Sequence, residues 1–158
     1  MVMQTRNMML AVGGCFSLVF AVFQTSGIWW SPEAVKYLGG PAEMCASNSP
    51  LYAGLCVVVA AGAAAFGFYA LSGAGAIRRL PLLRTVLVGI TSIYLLRGLL
   101  LFPQALAFHR APKLIPIRFL FMSAIALAVG LVHLAGTVQL FNRISQSSRS
   151  SALPSQIA

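Results

Sequence analysis

Residues 92–103 read SIYLLRGLLLFP, an apolar helical pattern with one arginine inside it. Arginine keeps its charge at any pH a protein meets, so Arg97 cannot enter an apolar region as a neutral group. Ile90, Tyr94, Arg97, Leu101 and Gln104 recur at spacings of three and four, which puts Tyr94, Arg97 and Gln104 on one helix face. A guanidinium flanked by a phenol and an amide is suited to an anionic oxygen, in a carboxylate or a phosphate. The apolar stretches contain no Asp or Glu to supply one. The acceptor must come from carbonyls, hydroxyls, a loop carboxylate, water or a bound anion. Set against this ligand-site reading is a structural one, in which Arg97 snorkels toward an interface and serves as an anchor.

Other chemistry-bearing residues are few. His133 lies in a late apolar stretch, and Tyr69 falls at matching depth in an earlier one. The pair is expected to form a polar contact between helices, since a lone histidine lacks the companions a metal or haem needs. Cys15 and Cys56 sit within apolar runs, where a thiol behaves as a small buried hydrophobe. Cys45 and Cys56 are candidates for a disulfide. No C-x-x-C pair, zinc spacing, H-E-x-x-H or G-x-S-x-G occurs. The expectation is therefore a non-enzyme with no metal and no cofactor.

The elements that position these residues follow from composition. Of the 158 residues 59% are hydrophobic and 8% charged, too greasy for a soluble domain of this size to bury. Four stretches, about residues 8–28, 51–77, 82–108 and 119–141, each reach the roughly 20 residues a spanning helix needs. Backbone polar groups must pair internally in lipid, which selects helices. The predicted fold is all-α: an integral membrane four-helix bundle, antiparallel, with both termini on one side, forming a single domain over residues 1–141. A lipoprotein-like leader ending at VGGC, residues 12–15, is disfavoured because its apolar core before Cys15 would be too short.

In the first loop Trp29 and Trp30 mark a membrane interface. Ser31-Pro32-Glu33 reads as a helix start and Gly39-Gly40-Pro41 as its end, predicting a short interfacial helix over residues 32–38. The Ser-rich residues 142–158 are expected to be a disordered tail. Net charge is +9. The basic residues flank apolar stretches, which argues for a membrane protein and against nucleic-acid binding. With the N-terminus inside, Arg6, Arg78, Arg79, Arg84, Arg143 and Arg149 face the cytoplasm, and Lys36, Arg110, Lys113 and Arg118 face out. That balance predicts a bacterial inner-membrane protein with cytoplasmic termini.

Helices in lipid associate by close backbone approach. Gly13, Ser17, Ala21 and Thr25 form one small-residue ridge, Ala60/Ala64 and Ala63/Gly67 others, and Ala124/Ala128 and Ala126/Gly130 more. They hold the bundle together or dock a second copy or a partner subunit. The functional expectation is an accessory, assembly or structural membrane component. The alternative is a small transporter or lipid- or anion-handling protein with Arg97 as the contact for an anionic lipid or small anion.

Overall fold

A computed structural model describes residues 7–38, 50–112 and 116–152, with the side chains of the last helix as far as residue 146. Among the described residues the structure is all-helical, with four helical stretches long and apolar enough to cross a membrane: Met8–Trp29, Pro50–Gly73, Leu83–Arg110 and Ile117–Gln146. In chain order the α-helices are α1 (Met8–Ser26), α2 (Pro32–Tyr37), α3 (Pro50–Gly73), α4 (Leu83–Leu99), α5 (Leu101–Arg110) and α6 (Ile117–Ala152). They fall into two compact units, one made of Met1–Gly13 with Tyr69–Ala158, the other of Gly14–Phe68.

In the Gly14–Phe68 unit, α1 and α3 run antiparallel. A methyl built at Gly67 would sit 2.6 Å from Leu18 Cγ and 3.0 Å from the Gly14 carbonyl oxygen. At the other end of the pair, one at Gly27 would sit 3.3 Å from the Tyr52 hydroxyl. The small residues are thus where backbones meet, as packing in lipid requires. A single 3₁₀ turn, Gly27–Trp29, carries α1 toward α2. There Trp29 is exposed, and Trp30 packs edge-on against Phe23 at 4.9 Å.

The short helix forms where Ser-Pro-Glu placed it. Ser31 Oγ accepts the Ala34 N–H at 3.3 Å, Pro32 begins the helix, and Leu38 rather than a helical residue closes it. The Glu33 carboxyl is held below its usual range, first by its own backbone N–H and then by the Ser31 hydroxyl. Ser31→Ala is expected to loosen α2 by about 1 kcal/mol. It should also raise the Glu33 pKa toward that of a free carboxylate. A lowered carboxyl pKa stabilises the helix above the unfolded-state pKa, and that stabilisation fades as pH falls through the folded one. A side-chain NMR titration in both forms checks this; identical Glu33 curves would remove Ser31 from the account.

In the other unit α4 and α6 form an antiparallel pair. Contacts pair Gly98 with Leu127, Leu95 with Gly130 and Thr91 with Thr137, so one number rises as the other falls. The start of α1 seats on α6. Asn7 caps α1 by accepting the Leu10 N–H at 3.3 Å, donates Nδ2 to the Gly136 carbonyl at 2.7 Å, and sends its backbone N–H to Ala74.

Two expectations give way here. The third spanning stretch is not one helix over residues 82–108; it breaks at Leu100 between α4 and α5. Pro103 has no N–H for the Leu99 carbonyl, and its ring crowds that carbonyl. The tail is not wholly disordered, because α6 continues to Ala152. No glycine or proline interrupts residues 137–153, so no residue there stops the helix.

Candidate functional site

Two of the residues singled out on α4–α5, Arg97 and Gln104, converge on one that was not: Ser123 of α6. Arg97 Nη1 donates to Ser123 Oγ at 2.7 Å, and the Ser123 hydroxyl donates to Gln104 Oε1 at 2.7 Å. Ser123 is fully buried, Gln104 half-buried, and Arg97 exposed. Gln104 lies two turns beyond Arg97 on the same face, so both side chains reach the one hydroxyl of α6. Ser123 carried no signal of its own in the sequence. It becomes visible only once α4 and α6 are in register.

The register also fixes depth. Gly130, the midpoint of the apolar stretch 119–141, packs against the Leu95 backbone, the midpoint of the stretch 82–108. Ser123 lies seven residues from Gly130, or about 10 Å along the helix at 1.5 Å per residue. A hydrocarbon half-thickness is about 15 Å, which leaves the guanidinium about 5 Å short of the headgroup boundary. Although its backbone starts near mid-depth, Arg97 has therefore covered most of the distance by reaching along α6. Buried Ser123 holds it in that direction. One of the guanidinium's donors is used in this way. The only acidic residues of the chain are Glu33 and Glu43, so none lies in the unit that holds Arg97.

Tyr94 is turned to a different task. Its ring stacks on His133 with centroids 5.3 Å apart and planes within 10°. His133 is fully buried, and a methyl at Gly13 would sit 2.8 Å from its Nε2. The His133 partner is thus Tyr94 rather than Tyr69, and no hydrogen bond or ring contact joins Tyr69 to His133 among the described residues. Neither imidazole nitrogen meets hydrogen-bond geometry with a described residue, so the tie between helices is one of stacking and close packing. A turn further along, the Thr91 and Thr137 hydroxyls lie 3.4 Å apart. Asn7 was readable in advance, as a capping residue directly before an apolar helical run.

Cys56 is buried, with Gln24 Nε2 at 4.0 Å from its Sγ. Its candidate disulfide partner Cys45 lies outside the described residues. Cys15 is exposed and not the buried hydrophobe expected; in a membrane helix the outer face meets lipid, where a thiol is equally at ease. Among the described residues no three His, Cys, Asp or Glu side chains gather as a metal site.

Four spanning helices define the class as a multi-pass membrane protein. Comparison with family models, with curated proteins and with solved structures found no match.

Proposed function

We propose that the protein is a non-catalytic component of a membrane, accessory, assembly or structural in role, with Arg97 as its depth anchor. One observation carries this: an exposed guanidinium held by a buried serine and, through it, by Gln104, on two helices of one unit. A charge fixed in this way resists vertical sliding, because inward movement costs roughly 2.5–3.5 kcal/mol at mid-bilayer. We further assign it to the bacterial inner membrane with both termini cytoplasmic, on the arginine balance. Labelling of Arg79→Cys and Arg110→Cys variants in a background without the three native cysteines tests that orientation, and modification of Arg79→Cys from outside or of Arg110→Cys from the cytoplasm would sink it.

A second reading has its own support. The guanidinium has donors left after Ser123, there is no acidic residue in its unit, and it ends near headgroup depth. An anionic lipid or small anion is therefore its natural counterpart in lipid-handling or transport. Arg97→Leu and Arg97→Lys in native membranes distinguish the two. An anchor role predicts that a copurifying partner or the folded yield falls with Leu and recovers with Lys. A ligand role predicts that both variants fold and that only anion or lipid binding falls. Arg97→Leu without effect on yield, partner or binding rejects both.

A further inference from the structure

At the other end of the same unit, the turn between α3 and α4 opens into a cleft of about 360 Å³. Arg79 and Arg84 line it, with Thr85 beside them, and Leu80, Leu83, Leu140 and Ile144 supply an apolar wall. We infer that this cleft holds the headgroup of an anionic phospholipid, with the phosphate between Arg79 and Arg84 and an acyl chain along the wall.

Three features lead there. The first is charge. Arg78, Arg79 and Arg84 crowd the α3–α4 turn, while the unit's sequence contains no Asp or Glu to pair with them. The second is how the cleft is held open. Ser72, buried at the end of α3, accepts the Leu80 N–H at 2.9 Å and donates to the Arg78 carbonyl at 3.0 Å. This folds the turn back and fixes Arg79 between two anchored residues. Arg84 is steered by α6, its guanidinium 5.9 Å from the centre of the Phe141 ring. Bidentate guanidinium donors are suited to a phosphate's oxygens.

The third feature is the mixture of polarity. The turn joins the end of one spanning helix, Gly73, to the start of the next, Leu83, and so lies where hydrocarbon gives way to headgroups. Leu82 is 76% exposed there, in a left-handed conformation (φ 54°) that leucine rarely adopts. An exposed leucine beside two arginines is out of place against water, but it matches a lipid, which offers an acyl chain next to a phosphate. A free phosphate would leave the apolar wall unused.

The test uses the full chain in nanodiscs of equal phosphatidylglycerol and phosphatidylcholine, with retained lipid read by native mass spectrometry. The wild type is expected to retain phosphatidylglycerol preferentially. Arg79→Gln with Arg84→Gln should reduce that preference by about five-fold per arginine removed. Thr85→Trp, which fills the cleft and leaves charge unchanged, should reduce it as well. Arg110→Gln removes one charge elsewhere and should leave it intact, so the loss reads the cleft and not the net charge. Three results overturn the inference: no loss in the double variant, an equal loss in Arg110→Gln, or displacement of the lipid by millimolar inorganic phosphate. The last would assign the cleft to a soluble phosphate instead.

Discussion

Replacing Gly98 with alanine is expected to destabilise the folded protein by about 3 kcal/mol, the upper range for an overpacked core. The added methyl would lie 2.5 Å from Leu127 Cα and 2.6 Å from Leu127 N. Those are backbone atoms of α6, so no rotamer change relieves the clash; the two helices must move apart. Movement there also pulls Arg97, the adjacent residue, away from Ser123, which adds the loss of a charge-assisted hydrogen bond. Gly89 provides the control on the same helix, since a methyl built there meets nothing within 4 Å. Gly89→Ala should be neutral or stabilising by up to about 1 kcal/mol, because alanine is the better helix former. Reversible unfolding in mixed micelles measures both. If the two variants unfold together, α4 and α6 are not in contact at Gly98, and the register that brings Arg97 to Ser123 is wrong.

That contrast also shows how far the chain could be read without coordinates. The four spanning stretches were legible because lipid leaves the backbone a single open-ended choice, and runs such as Leu51–Ile77 show it plainly. Ser31-Pro32-Glu33 was legible because capping is local chemistry. The break at Leu100 was also written in the chain, at Pro103, but the strength of the apolar run around it masked the signal. Gly89 and Gly98, by contrast, are indistinguishable by sequence, each a glycine on a leucine-rich helix. What separates them is which face meets α6, and that is set by a register between segments some 30 residues apart. The same register hides Ser123, and it turns Tyr94 to His133 instead of to Arg97. Helical periodicity placed Tyr94, Arg97 and Gln104 on one face, yet neighbours on a face need not share a partner.

The second large effect is expected where the first helix meets the last. A methyl at Gly13 would sit 2.8 Å from His133 Nε2 and 3.0 Å from both Cδ2 and Cε1, against the edge of the ring. The ring has little freedom to yield, because Tyr94 is stacked on it and it is fully buried. Gly13→Ala is therefore expected to cost about 2 kcal/mol. His133→Ala should cost about as much for the opposite reason, the cavity left by the ring. Combined, the two changes should partly cancel, since the new methyl enters space that the ring has vacated. The double variant should be more stable than the sum of the singles by at least about 1 kcal/mol, beyond the scatter of independent sites. Asn7, donating to the Gly136 carbonyl one turn away, keeps the two helices in place while the pair is exchanged. Strict additivity in that cycle would mean that ring and glycine do not touch. A measured coupling would make the glycine of the α1 ridge and the buried histidine of α6 two halves of one joint.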